Sequence, residues 1–276
     1  MPARNFTDNE EVEIGKIYLS GKSTKAIARA YGLSHHISIT SALKRQGIIQ
    51  RDKSERNRLY KCNPHIFDSL DNEVSAYLHG FIYADGCIMY EKTLTINISA
   101  RDRSHLEKIK IAIESESPIK DIKNYGYGNG LVQLSFTERY LVGRLIKTGI
   151  STGRPNPYIA MQAIPDSTFH HWLRGFFDGD GSAKKSPDIN FCGDKILLEL
   201  LRARIAQNCE VNPKLAIVKH ITKPLYYLSY SGRLMALKVA DFMYRDATIW
   251  LERKRQVIEN WPLPQIRYRN EKGQYT

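Results

Sequence analysis

Two short stretches of this chain carry residues suited to chemistry. They are YLHGFIYADGCI at 77–88 and WLRGFFDGDGSA at 172–183, and the acids they share are Asp85 and Asp180. In each, two small residues stand four apart: Gly80 with Ala84, and Gly175 with Gly179. On a helix those positions fall on one face and let two backbones approach closely. Two helices packed through such faces bring their C-terminal ends together, and with them Asp85 and Asp180. Each aspartate precedes a glycine, which can end a helix in a left-handed conformation. Carboxylates brought close repel one another unless a cation lies between them. Oxygen ligands suit Mg2+, with Mn2+ or Ca2+ as substitutes in binding. Such ions acidify a bound water and stabilise the charge on a cleaved phosphodiester. The metal-binding candidates are Asp85, Asp180 and the residues preceding them, Ala84 and Gly179.

Another reading of Asp178-Gly-Asp180-Gly is a calcium loop. Counted from Asp178, position six is Ala183 and position twelve is Ile189, where that loop needs Gly and Glu. The loop reading fails at both. Asp178 has Tyr83 as its counterpart in the first stretch, so the sequence places it at the periphery.

The two stretches belong to a longer repeat. The offset is 95 from Asp85 to Asp180, 93 from Ile96 to Ile189 and 94 from Leu134 to Leu228. Each half reads as a helix into the motif, a strand, an amphipathic helix, two strands and a closing helix. The first helices are expected at 72–84, capped by Asp71, and 167–178, capped by Asp166. The first strands are TLTINISA and DINFCG, and the later pairs lie near 119–126 and 131–137, and near 214–221 and 225–231. A glycine run at 126–130 opens no helix and reads as a hairpin turn.

Ahead of the repeat, residues 8–46 read as three short helices. Asp8 with Glu11 caps the first, Ser23 or Thr24 the second and Ser34 the third, whose inward residues are Ile37, Thr40 and Leu43. The pattern looks like a helix-turn-helix that offers His35, His36, Ser38, Ser41, Lys44 and Arg45 to DNA. A small helical bundle without that role is the plainer reading. The basic stretch 51–61 is a linker or an arm along phosphates. The expected domains are 1–50, a linker at 51–66, halves at 67–160 and 161–262, and a tail at 263–276.

Composition agrees. With 276 residues and 42% hydrophobic content the chain can bury a core, and a net charge of +12 favours a polyanion partner. Four cysteines without a C-x-x-C pair argue against zinc or a disulfide framework. No apolar leader or membrane-spanning window is evident, so a soluble, intracellular monomer is expected, with no membrane partner.

The motifs, their spacing and the repeated element order resemble the LAGLIDADG homing endonucleases, in the single-chain, two-motif form, over roughly 67–258. The resemblance implies an α/β (α+β) fold of two pseudo-symmetric halves, each with a saddle-shaped antiparallel sheet on the DNA major groove, here preceded by a small all-α helix-turn-helix domain. It implies that Asp85 and Asp180 bind the metal ions and that both strands of double-stranded DNA are cut with short 3′ overhangs. It also implies residence in a mobile intron or a free-standing gene, in a bacterial or phage-infected host cytoplasm or an organelle. The family tends to place a basic residue near each cleavage centre after the closing helix. Arg154 and Lys254 are the matching positions, with plain phosphate contacts as the alternative. The water-positioning Gln of some members is replaced here by Ala100 and Gly193.

Alternate strand residues share a face. Thr95, Asn97, Ser99 and Arg101 form one polar face, matched by Asp188, Asn190 and Cys192. Gln133, Ser135 and Thr137 are matched by Tyr227, Ser229 and Ser231. These faces are assigned to DNA, flanked by Lys123, Tyr125, Lys184, Lys185, Lys219, His220 and Lys223. Competing functions are a non-cleaving transcriptional regulator and an RNA maturase. An intein is disfavoured by the missing terminal nucleophile and Asn.

Overall fold

The computed structural model describes residues 6–20, 22–50, 60–122 and 130–262. The chain divides into two compact units, 1–59 and 60–276.

The first unit holds three helices: α1 (Asp8–Leu19), α2 (Thr24–Ala30) and α3 (Ile37–Arg45). Ile14, Tyr18, Ile27, Ala28, Ile39, Ala42 and Leu43 form its core. The cap of α1 is Thr7, which forms a capping box with Glu10, one residue ahead of the expected Asp8 and Glu11. Glu11 is instead buried and paired with Arg45. Ser23 caps α2, whereas α3 begins after His36 without a side-chain cap and without Ser34. That start sets the inward face at Ile39, Ala42 and Leu43, and Ile37 is exposed. Leu43 is inward as expected, while Ile39 and Ala42 replace Ile37 and Thr40, which turns the buried face by about 100°.

The second unit contains the repeat. Its first half runs α4 (Glu73–Asp85), β1 (Gly86–Met89), β2 (Thr93–Ser99), α5 (Arg103–Ala112), β3 (Lys120–Ile122), β4 (Leu131–Thr137), α6 (Arg139–Lys147) and α7 (Pro157–Ala163). The second runs α8 (Phe169–Asp180), β5 (Gly181–Ala183), β6 (Asp188–Gly193), α9 (Lys195–Cys209), β7 (Ile217–Lys219), β8 (Tyr226–Ser231), α10 (Arg233–Tyr244) and α11 (Glu252–Glu259). Each half has a four-stranded antiparallel sheet, ordered β1-β2-β4-β3 and β5-β6-β8-β7. This is a mixed α and β architecture of two pseudo-symmetric halves. Strands β1 and β5 and helices α7 and α11 were not foreseen; each is short, and β1 and β5 follow the motif helices directly.

Strict alternation builds the sheets. Leu94, Ile96, Ile98, Val132, Leu134 and Phe136 point into the core, and the intervening residues are polar. Burying each large apolar side chain contributes roughly 1.5–3 kcal/mol. Residues 61–66, expected within a linker, belong to the first half: Cys62 is buried and the Asn63 amide donates to the Ile113 carbonyl at 2.9 Å. Asn72 caps α4 through the Ser75 amide, while Asp71 accepts from Ser69 Oγ. Asp166 opens a 3-10 turn, Asp166–Thr168, ahead of α8 and is held by Arg204. No helix among the described residues is long and apolar enough to cross a membrane.

Candidate metal centre and nucleic-acid interface

Helices α4 and α8 meet through glycines. A Cβ on Gly80 would overlap the Trp172 carbonyl oxygen, and one on Gly175 would overlap the Tyr77 carbonyl oxygen. The two contacts are symmetry mates, because Trp172 lies 95 residues beyond Tyr77. A Cβ on Gly179 would overlap that of Ala84 and lie 3.3 Å from Asp85 Oδ2. The spacing of small residues therefore does what the sequence required, and the two helix ends converge.

The glycines after the aspartates act differently from expectation. Gly86 (φ −84°) and Gly181 (φ −97°) are extended, not left-handed. They are needed for space: a Cβ on Gly86 would lie 2.5 Å from the Ile82 carbonyl oxygen. The chain thus leaves each helix straight into β1 or β5.

Burial pushes the Asp85 carboxyl up to about 6, against the pull of Lys254 and Arg253. Burial, with the negative charge of Asp85, pushes Asp180 up to about 7. Two carboxylates and backbone carbonyls at a convergence of helix C-termini form an all-oxygen, electron-rich donor set. Such a set fits a hard divalent cation, whose charge would offset the burial that raises both acids and the repulsion that Asp85 adds at Asp180.

Two clefts flank the aspartates. One, of about 170 Å³, is lined by Asp85, Asn97, Ser99, Asp102, Asp178 and Arg253 among others. The other, of about 560 Å³, includes Tyr83, Ala84, Arg154, Asp180, Gly193 and Asp194. Each cleft takes its aspartate from one half and the two preceding motif positions from the other.

Arg154 is exposed at the larger cleft, and its side chain makes no hydrogen bond or ion pair among the described residues. Lys254 is 5% exposed, and its ammonium donates to the carbonyls of Phe177 (2.7 Å), Asp178 (2.7 Å) and Gly179 (3.2 Å). The ammonium of Lys254 thus neutralises the partial negative charge at the end of α8. Its neighbour Arg253 faces the smaller cleft, with Nε donating to Asp102 Oδ1 at 2.9 Å and Oδ2 at 3.0 Å.

Asp178 is not peripheral. It is 2% exposed, and its Oδ2 accepts from the Tyr77 hydroxyl at 2.7 Å and the Leu251 amide at 2.8 Å. With Tyr77 donating, the Tyr77 oxygen accepts from His105 Nε2 at 2.9 Å. Burial holds His105 neutral, near 3, so its tautomer follows from this network.

The polar strand faces form cross-strand pairs in both halves. Thr93 meets Thr137 (2.8 Å), Thr95 meets Ser135 (2.9 Å) and Gln133 donates to Asn97 (2.9 Å). Asn190 donates to Ser229 (2.7 Å) and Ser231 to Asp188 (2.7 Å), with Cys192 opposite Tyr227. Thr95 is only 3% exposed, which leaves Asn97, Ser99, Gln133, Ser135 and Thr137 as the accessible members of that face. Arg101 lies in the 3-10 turn Ala100–Asp102, off the strand. Lys184 bonds Asp188 at 3.2 Å, and Lys185, Lys219 and Lys223 are exposed. Lys123 and Tyr125 lie outside the described residues, as does most of the glycine run. In the first unit His35 and Lys44 are exposed, and His36 and Ser38 half-buried. Arg45 Nε donates to Glu11 at 3.0 Å, so it braces the unit.

No family model and no curated relative matches the chain. Among solved structures it is similar to the LAGLIDADG meganuclease I-AabMI bound to uncleaved DNA, at 15% identity and a TM-score of 0.46 over 68% of this chain and 88% of that one. It is likewise similar to mesophilic variants of the homing endonuclease I-DmoI, at 16% identity and a TM-score of 0.45 over 62% and 95%. I-SmaMI bound to cleaved DNA is a third, at 13% identity and a TM-score of 0.46 over 68% and 87%.

Proposed function

We propose that this chain is a site-specific DNA endonuclease that cuts both strands of a duplex, leaving short 3′ overhangs, with divalent metal ions held by Asp85 and Asp180. The carrying observation is the convergence of these two acids at the ends of two helices in backbone contact. Clefts there are lined by both the acids and strand residues such as Asn97 and Ser99. The backbone carbonyls of Ala84 and of Gly179, whose second lone pair is left beside its bond from Lys254, would complete the proposed donor set. Bound there, the ions would acidify an attacking water and offset charge on the phosphodiester.

The protein's own groups position the substrate. Arg154 is a cation available to a phosphate on the Asp180 side. The exposed lysines hold the backbone, and Asn97, Gln133, Asn190, Tyr227 and Ser229 meet base edges. Neither Ala100 nor Gly193 can orient a water, so that task falls to other groups. The three-helix unit is a helix-turn-helix that adds affinity by tethering, through His35, His36, Ser38 and Lys44. The intact aspartate pair supports an enzyme over a non-cleaving regulator.

The test uses full-length protein with Mg2+ or Mn2+ and a library of randomised duplexes whose cut ends are sequenced. One site cut on both strands is expected, and Asp85→Asn or Asp180→Asn should abolish cutting while binding survives. Undiminished cleavage in either variant would sink the metal assignment. Deleting residues 1–50 should weaken binding and leave some cleavage; equal binding would give that unit another purpose.

A further inference from the structure

A buried network joins the first half to the chain segment that carries Arg253 and Lys254. Its centre is Arg174 on α8, which is 0% exposed. Its guanidinium donates to the Ile249 carbonyl (2.9 Å), the Met243 carbonyl (2.7 Å) and Glu73 Oε1 (2.6 Å), and one nitrogen lies 3.0 Å from His171 Nδ1. Glu73 opens α4, in the other half. It also accepts from the Thr248 amide (2.6 Å), the Ile249 amide (3.3 Å) and the Thr248 hydroxyl (2.7 Å). The segment continues to Leu251, whose amide is held by Asp178, and then to Arg253 on Asp102 and Lys254 on the end of α8. From Met243 to Lys254 the chain is thus fastened to both motif helices by fixed polar contacts.

We propose that Glu73 and Arg174 form a clasp between the halves that positions the Met243–Lys254 segment, and with it Arg253 and Lys254, beside the catalytic aspartates. Both are positioning residues. Glu73 lies twelve residues before Asp85 on α4, about 18 Å away along the axis. It reaches the site only through the segment it holds. The strong donors and acceptors used here are geometrically selective, since the planar guanidinium of Arg174 divides its donors between Glu73 on α4 and the Met243 and Ile249 carbonyls. Removing the acid leaves the arginine buried without its counter-charge and frees the Thr248 hydroxyl and amide. Arg253 and Lys254 would then sample several placements, and the step that needs them in one geometry would slow.

This rests on the endonuclease reading, so the experiment has one arm that does not. Hydrogen exchange at the amides of Thr248, Ile249 and Leu251 is followed in the full chain and in Glu73→Gln and Thr248→Val. Thr248 is exposed, so its variant retains the core even if Glu73→Gln fails to fold. Exchange at least about tenfold faster is expected in the folded variants. In single-turnover assays on the selected duplex, cleavage should fall more than about tenfold while the DNA Kd stays within about twofold. Unchanged exchange in Thr248→Val overturns the clasp. So does faster exchange with undiminished cleavage, and so does a parallel loss of cleavage and affinity, which marks a merely structural part. If the wild-type protein cuts no duplex, the endonuclease reading falls, and the exchange data alone decide whether the clasp exists.

Discussion

His79 and Arg174 stand at matching turns of the two motif helices, 95 residues apart, and both are sealed from solvent. Burial keeps His79 neutral, near 3. It accepts at Nδ1 from the Trp172 indole (2.9 Å), which leaves Nε2 to donate to the Thr148 hydroxyl (2.9 Å). Arg174 holds a charge, a carboxylate partner and two carbonyls, over the face of Tyr77, the counterpart of Trp172. Thr148 and Met243, the partners of the two residues, are also 95 apart. The same fold thus accepts a neutral pair in one half and an ionised cluster in the other, provided every buried donor is satisfied.

The difference is one of reach. His79 touches the end of α6 and stops. Beyond it, residues 149–156 are held by local bonds, such as the Asn156 amide on the Gly149 carbonyl (2.7 Å), and the exposed Arg154 side chain has no partner among the described residues beside the larger cleft. Arg174 and Glu73 fasten the corresponding segment of the second half, and the cleft on that side narrows around Arg253 and Asp102.

The largest test of this contrast is stability. Arg174→Met takes the charged partner from half-buried Glu73 and empties a fully buried polar site, and should cost about 3 kcal/mol in urea unfolding, against about 1–2 kcal/mol for His79→Leu. Equal costs would erase the distinction. The seam between the helices should instead behave symmetrically. Gly80→Ala and Gly175→Ala each force a methyl into a carbonyl oxygen, at about 1–3 kcal/mol or more, and the two should agree within about 1 kcal/mol. A clear inequality would show that the halves pack differently.

A smaller effect concerns pH without metal. A carboxyl whose native pKa lies above its ordinary 3.8 favours folding while protonated, and that advantage is lost as pH rises toward about 6 for Asp85 and about 7 for Asp180. The unfolding midpoint of metal-free wild type, less that of Asp180→Asn, should therefore fall between pH 4 and 7. For Asp85→Asn the fall should be shallower, because Lys254 and Arg253 oppose the shift of Asp85. The reverse ranking would contradict the electrostatic asymmetry.

The sequence alone revealed the halves, the strand faces and the paired aspartates, because spacing dictates all three. Small residues four apart have few uses other than close contact, and alternation has few uses other than a half-buried sheet. Caps were less legible: Asp71 and Asn72, or Thr7 and Asp8, are adjacent and chemically equivalent, and only backbone angles choose between them. Asp178 was undervalued by the very logic that found the repeat. With Tyr83 as its mate it looked incidental, although its role is to serve what differs between the halves. Arg253 and Lys254 were separable only by helix phase, which turns neighbouring side chains about 100° apart.

The glycine seam divides the molecule's positions into two kinds. At Gly80 and Gly175 the partner is backbone, which cannot repack, so a single extra methyl is felt by the pair of helices and by the span between the acids they carry. On the outer strand faces, residues such as Asn97 and Gln133 bond side chain to side chain and can be exchanged in couples. Tolerance to substitution is therefore steeply graded over a few ångströms: near zero along the central axis and wide at the sheets beside it. A molecule built this way can drift freely in what its surface contacts while the separation of Asp85 and Asp180 stays where the two backbones put it.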